Sequence, residues 1–525
     1  MNSVVGEWDL SPDEDFRKPV VHPPPNTRDG TMQRSPVPPP ESTTAPAALT
    51  DQLHLRLAAL LAAVRQFQAR PPTPAATFAF EHEVAALLRQ TGRDLIESAY
   101  NHAEPSTEEC PPRIHVGRET YRRRGKTPNT LGTLFGPIEL RRCVYECLEP
   151  GELCVWPLEL RLGVVAGLAT PALAERVGRW SAEHEQDAVG NLLRAEHGVS
   201  WSVTSLRKVV GAVRDGVAGP GEQARVERLL ELLTEAEASS GKHRPTLACG
   251  RDGVMVPIRG QDYREAATGT VSVHDRRGKR LGTVYLGQMP EPGQHRLTQQ
   301  MTAVLTAVLT TWHALGQACP RLQYLSDGGH HPQEFFRRVL SRLADPWRPG
   351  QYLPWQWTLD FYHACTHLWT MAESLFGEAP VAWSWYRRMR HWLRDRKGGV
   401  ANILRSATQQ ENRRKMTRGR KQEYGKAYRY LRRHARWMNY AACRNVRLPI
   451  GSGVTEAACK TVFTQRLKRS GMTWGIDGGQ VIVDLRVLVL SGVWDRAYAA
   501  YLHAQPLPKE VSYRPRETKT PAIAA

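Results

Sequence analysis

The chain has no apolar run approaching the roughly 20 residues that a membrane-spanning helix needs. Its first residues lack the charged-then-apolar pattern of a secretory signal. The expectation is a chain with no membrane partner. Cysteine is sparse: nine in 525 residues, scattered and odd in number. That argues against a secreted disulfide scaffold and for a reducing cytosol. Negative charge is the minority, with 52 Asp and Glu against 71 Lys and Arg and a net charge of +19. Such an excess suits a polyanion, because Lys and Arg that neutralise phosphates release condensed counterions.

The basic charge is concentrated. From Trp383 to Tyr440 there are 18 Lys and Arg against 3 Asp and Glu, a net of +15, interleaved with Trp383, Trp385, Trp392 and Trp437. Phosphate contact combined with packing or base stacking explains that mixture better than a solvated helix face does. Nucleic acid is the expected partner.

A length of 525 residues allows roughly three to four domains. Residues 1–48 are rich in proline and predict a disordered tail. Residues 50–110 carry helical apolar spacing, broken by Pro-Pro-Thr-Pro at 71–74. Residues 111–156 read as a small β region with turn signals at Pro128-Asn129 and Gly136-Pro137. It holds Cys143, Cys147 and Cys154, with Cys110 just upstream. A zinc ribbon needs tighter cysteine pairs than these gaps of three and six, so buried thiols are favoured over a zinc site there.

Residues 157–240 read as helical. Within them, a helix ending at Gly198 and a second capped by Ser200 or Ser202 have the form of a helix-turn-helix, which would offer Arg207 and Lys208 to DNA. An ordinary helical hairpin is the competing reading. Residues 245–370 alternate strand and helix patterns and predict an α/β domain with early antiparallel and later crossover strands. Residues 371–448 read as a basic all-helical segment. Residues 449–500 read as helices that carry a further acid, and 501–525 as a second tail.

Three acids stand at the ends of these patterns. Asp252 and Asp327 each follow an apolar run, and Glu456 opens a basic helix. Strand ends and a helix start are rigid supports on which carboxylates can hold two Mg²⁺ ions about 4 Å apart. Each acid also has a plain reading: Asp252-Gly253 and Asp327-Gly328-Gly329 are turn signals, and acids favour helix N-termini. Asp360 ends a strand pattern too and is an alternative second acid. With His363 and His367 it could instead form a nitrogen-bearing site better suited to Zn²⁺ than to Mg²⁺. Lys460 shares a helical face with Glu456, and Arg466, Lys468 and Arg469 continue a basic run expected to grip phosphate.

Gly250-Arg-Asp-Gly-Val-Met-Val-Pro, Ser326-Asp-Gly, Leu359-Asp-Phe-Tyr-His, Ile450-Gly-Ser-Gly-Val-Thr-Glu-Ala-Ala-Cys-Lys and Arg466-Leu-Lys-Arg-Ser-Gly-Met-Thr-Trp together resemble the signature blocks of prokaryotic insertion-sequence DDE transposases. The nearest group is the Kra-type family, related to the Mutator-like transposases, and the resemblance spans about residues 112–500. It implies an α/β fold: an RNase H-like core interrupted by a helical insertion and preceded by a helical and β DNA-binding region. It implies Asp252, Asp327 and Glu456 as the catalytic, metal-holding triad, with Mg²⁺ or Mn²⁺ as cofactor. Asp360 and His363 match an Asp-x-x-His that supports the site. The implied partners are terminal inverted repeats and target DNA, bound by a homodimer or larger assembly in a prokaryotic cytoplasm, at the nucleoid. Relatives often have a tighter cysteine pair than Cys143 and Cys147, which counts against zinc.

Overall fold

A computed structural model describes residues 46–106, 109–116, 119–148, 154–377, 380–504 and 509–510. The expected tails, 1–48 and 501–525, lie mostly outside these. Two of their edges are ordered differently from expectation: one helix already begins at Pro46, and another runs on to His503. No helix among the described residues is long and apolar enough to cross a membrane.

The chain opens with a helical hairpin, α1 (Pro46–Gln68) and α2 (Pro74–His102). Pro74 occupies the first turn of α2, where its missing N–H costs nothing, and Thr73 caps the helix by accepting from Ala76 N at 3.1 Å. Three antiparallel strands follow: β1 (Arg113–Val116), β2 (Glu119–Thr133) and β3 (Gly136–Cys147). The expected turn at Pro128-Asn129 is instead the middle of β2, opposite Arg141 and Leu140. Proline is tolerated there because β1 pairs only with residues 119–122, so the other edge of β2 is open at Pro128. Lys509–Glu510 adds a short strand beyond β1.

Helices α3 (Pro157–Leu162), α4 (Pro171–Glu183), α5 (Gln186–His197) and α6 (Val203–Ala238) come next. Gly198 ends α5 in the left-handed conformation, and Ser202 caps α6 by accepting from Ser205 N at 3.1 Å. Two helices joined by a short turn are therefore present, as both a helix-turn-helix and an ordinary helical hairpin require. The second helix, however, is 36 residues long and sends Val226, Leu229, Leu232, Leu233 and Ala236 into the core beneath the main sheet.

That sheet is mixed. In chain order its strands are β4 (Thr246–Pro257), β5 (Tyr263–His274), β6 (Arg280–Gln288), β7 (Arg321–Ser326) and β8 (Gln356–Leu359). In space they run β6-β5-β4-β7-β8. The first three pair antiparallel through tight connections, while β7 and β8 run parallel to β4, as the early-antiparallel, later-crossover reading expects. Helix α7 (His295–Ala314) carries the chain across to β7, and α8 (His330–Arg338) lies between β7 and β8. Leu297, Met301, Leu305 and Val308 of α7 pack with the C-terminal half of α6 on one face of the sheet.

After β8 the chain builds a bundle from α9 (Phe361–Phe376), α10 (Pro380–Asp395), α11 (Gly399–Asn412), α12 (Arg418–His434) and α13 (Tyr440–Asn445), with a core of its own around Leu368, Trp385, Ile403 and Leu431. The chain then returns to the sheet. It forms α14 (Gly453–Ala458), widens into a π-turn over Cys459–Thr464 and closes as α15 (Gln465–Leu467). Helix α16 (Ile476–Leu490) covers the second face of the sheet, and α17 (Trp494–His503) packs on α6. Helix α16 is buried through Ile482, Val483, Leu485, Val487 and Leu488 rather than along a single amphipathic stripe.

Candidate active site

Asp252 is not in a turn. Strand β4 runs unbroken through Asp252-Gly253, because β5 pairs with it along its whole length, Asp252 facing Thr268 and Gly253 facing Ala267. On its other side β4 pairs with β7 only as far as Gly250 opposite Leu325. Asp327 directly follows the last residue of β7, so the two acids lie at the same end of this parallel pairing. Asp252 thus lies where the parallel neighbour stops and the strand edge opens.

Alternation along β4 divides its residues between two faces. Arg251 points to α7 and is buried there, giving hydrogen bonds to Gln294 Oε1 at 2.9 and 3.1 Å and to Thr298 Oγ1 at 2.7 Å. Gly250 and Asp252 face α14. A side chain at Gly250 would overlap Thr455 Oγ1, so the glycine is what lets α14 lie directly on the strand. Thr455 is held there by a buried 2.7 Å hydrogen bond to Thr270 of β5. One turn on, the Cys459 thiol lies 3.5 Å from Asp252 Oδ2. This seating brings Glu456, exposed at the start of α14, into charge range of Asp252.

Asp327 follows the last residue of β7. Its Oδ1 accepts from Gly329 N at 2.9 Å, and its backbone carbonyl accepts from the Tyr430 hydroxyl of α12 at 2.7 Å. Gly328 has φ +84°, and a Cβ there would meet Leu359 Cδ1 at 2.6 Å, so both conformation and space require glycine. Burial raises the Asp252 carboxyl above the ordinary aspartate range, and the charges of Asp327 and Glu456 add to the rise. Asp252 is therefore a half-buried carboxylate within charge range of two others.

The three carboxylates share a field but do not close into the cage of one small ion. Among the described residues, the sets of three ligand atoms within 4.8 Å of one another are Glu104, Cys110 and Cys143, and His330, His331 and Glu334.

Asp360 has a different role. It is 4% exposed and caps α9, its Oδ1 accepting from His363 N at 2.5 Å. Its Oδ2 accepts from Ser452 N and, at 2.9 Å, from Ser452 Oγ. Asp360 thus clamps the Gly451-Ser452 segment that launches α14. It also ends β8, one strand farther from β4 than Asp327. The His363 ring packs edge-on to His367 at 5.1 Å, and His367 stacks on Tyr430 at 3.7 Å. Burial and the neighbouring His363 and His434 push the His367 pKa down to about 4.

The structure divides the expected phosphate-gripping residues. Lys460 is exposed beside Glu456. Lys468 lies 5.6 Å over the Tyr263 ring. Arg469 is exposed and reaches Glu185 at 3.3 Å. Arg207 and Lys208 are exposed at the start of α6, with Arg207 bonded to Gln186 at 3.2 Å. Arg466 is a correction. It is 1% exposed and donates to Ser181 O at 3.1 and 3.3 Å. There, with Arg486 on Ala182 O, it satisfies the C-terminal carbonyls of α4. The cysteine grouping is corrected as well. Cys143 and Cys147 lie four residues apart on one strand, a separation of about 13 Å. Cys143 instead meets Cys110 and Glu104, with the two sulfurs 2.7 Å apart, and neither Cys147 nor exposed Cys154 joins them.

Several site residues escaped sequence reasoning: Thr455, Cys459, Ser452, Tyr430 and buried His434, whose ring lies beside Gly328. Thr455 and Cys459 were legible in principle, since they flank Glu456 at i−1 and i+3. Tyr430 and His434 carried no signal, because they arrive from a bundle about 100 residues downstream of Asp327. No protein-family model matches the chain, and no curated protein matches it.

Proposed function

We propose that this protein is a DDE-type DNA-processing enzyme, an insertion-sequence transposase that cuts element ends and joins them to target DNA. One observation carries the reading. Asp252 lies on β4 just past the end of its parallel pairing with β7, Asp327 directly follows β7, and a helix seated on Gly250 brings Glu456 into charge range of Asp252. The order of the mixed sheet, and a basic bundle inserted between β8 and α14, support an RNase H-like core with a helical insertion.

The donor set fits a hard divalent cation. All three side chains offer oxygen, and a cation would offset both the burial that chiefly raises the Asp252 pKa and the like charges of Asp327 and Glu456 that add to it. Asp252, Asp327 and Glu456 would hold Mg²⁺, which would supply activation of a water or a 3′-hydroxyl and charge neutralisation at the leaving oxygen. The chain's own part is placement. Thr455 and Gly250 fix the height of Glu456, Tyr430 and Gly328 fix the turn at Asp327, and Asp360 holds the start of α14. Exposed Lys460 offers positive charge one turn from Glu456, half-buried Lys468 and exposed Arg469 continue the basic run, and exposed Arg207 and Lys208 offer charge at the start of α6.

The test is incubation of the purified protein with labelled DNA from the two boundaries of its reading frame and a target plasmid, with Mg²⁺. Specific nicks at the ends and products joined to the plasmid are expected. Nicks without joining would replace the transposase with a nuclease of the same fold. Specific binding with neither product, in Mg²⁺ or Mn²⁺, would leave a DNA-binding protein.

A further inference from the structure

A cleft of about 930 Å³ lies in the inserted bundle between α9 and α10, outside the triad. Its volume falls in the range of about 300–1,000 Å³ typical of small-ligand sites. No carboxylate lines it. One wall is aromatic: Trp369 meets Trp383 at 5.6 Å and Tyr386 at 5.2 Å, both edge-on, and Trp383 lies near-parallel to Tyr386 at 5.4 Å. Trp383 is nevertheless 51% exposed, so the indole is braced by these two rings while about half of its surface is open to solvent. The other wall is basic. Arg390 and Arg394 are engaged, over the Phe361 ring and with Asp395 respectively. Arg387 and Arg388 are exposed and have no partner among the described residues. The cleft is continuous with the catalytic scaffold, because its lining residue Tyr362 packs on Gly451 beside the Asp360–Ser452 clamp.

We propose that this cleft is a stacking site for an unpaired nucleotide of a single DNA strand, with Trp383 as the platform and Arg387 and Arg388 holding the flanking phosphates. This rests on the DNA-processing reading and specifies the form of DNA the bundle takes. An exposed, braced indole beside unpaired guanidinium groups matches the two elements of single-strand recognition: a π-face for any base and charge along the backbone. Bases inside a duplex are already stacked on each other and cannot present a face to Trp383. A nucleotide freed from pairing next to the cut site can. An acidic peptide would use the arginines but gain nothing from the open indole.

The test uses the full chain in EDTA, so that no strand is cut, and fluorescence anisotropy with a short single strand, the same strand carrying abasic sites, and a duplex. Wild type is expected to bind the single strand more tightly than the abasic one. Trp383→Ala should weaken single-strand binding about 10-fold, as loss of one stacked base implies, with duplex binding unchanged. Trp383→Phe should recover part of the loss. Arg387→Ala should lower the salt dependence of single-strand binding by about 0.7 in the log–log slope. Circular dichroism checks that the variants fold, which an exposed site favours. Equal affinity of wild type and Trp383→Ala for the single strand overturns the proposal, as does equal wild-type affinity for normal and abasic strands. Either result with duplex binding intact leaves the DNA-processing reading standing. Failure of wild type to bind any of the three DNAs overturns both.

Discussion

Adding one methyl group at Gly250 tests how the third acid reaches the site. A Cβ at Gly250 overlaps Thr455 Oγ1 and comes within 3.1 Å of Thr270 Oγ1 and 3.2 Å of the Leu325 carbonyl. Strands flank Gly250 on both sides, so α14 is the element that must move. Overpacking a filled core costs about 1–3 kcal/mol, and losing the buried Thr270–Thr455 hydrogen bond costs about 1 kcal/mol. Gly250→Ala should therefore destabilise the sheet by about 2–4 kcal/mol. It should also slow any Mg²⁺-dependent cleavage by about 100-fold, the scale expected when a reacting group shifts by about 1 Å. Thr455→Ala removes the obstructing oxygen and alone costs about 1–2 kcal/mol, since the Thr270 hydroxyl loses its partner. In the double variant the clash is gone, so the two penalties should fall short of their sum by at least about 1 kcal/mol. Hydrogen exchange of the β4 and β7 amides, read by mass spectrometry, reports the opening energy of this part of the sheet. Strictly additive penalties, or wild-type protection in Gly250→Ala, would refute the seating of α14 on Gly250.

Three further outcomes concern His367, Arg466 and Lys460. His367 is held neutral in the fold with its pKa lowered to about 4, against an ordinary value of 6.5. Its contribution is thus present above about pH 6.5 and is lost as the pH falls through the folded value. The unfolding midpoint should drop across that window, and His367→Phe, which keeps the stack on Tyr430, should flatten the drop; an unchanged slope would contradict this. Arg466→Ala should cost stability, about 1.5–3 kcal/mol for its charged hydrogen bonds to Ser181. Lys460→Ala should leave the unfolding midpoint alone and reduce the salt slope of DNA binding by about one; the reverse pattern would undo the division between the two residues.

Local signals in the sequence are legible where the physics is local. Gly198 and Ser202 mark a helix end and a helix start through backbone conformation and a capping oxygen, and both perform those roles. The antiparallel-then-crossover order of the strands followed from apolar runs and connection lengths. Errors arose where a distant partner decides. Asp252-Gly253 has the composition of a turn, yet β5 pairs through it and makes it strand. Pro128-Asn129 is strand for the same reason. Asp360 and Asp327 both follow strand runs, and only the distant Ser452 and Tyr430 distinguish a structural clamp from an acid left at the open edge. Cys143 finds its neighbours, Glu104 and Cys110, on other segments rather than along its own strand. Arg466 looked like part of a surface run until the C-terminus of α4 claimed it.

The central claim is that Asp327, not Asp360, completes the acidic site with Asp252 and Glu456. The direct measurement is the rate of Mg²⁺-dependent cleavage of a labelled end substrate by Asp327→Asn, beside its affinity for the uncut DNA. Loss of a carboxylate that holds the metal removes several kcal/mol of charge stabilisation, so the rate should fall by about 1,000-fold. Binding and thermal stability should stay near wild type, because the Asp327 contacts to Gly329 and Tyr430 use Oδ1 and the backbone carbonyl, both of which asparagine keeps. Cleavage by Asp327→Asn at the wild-type rate would contradict the account.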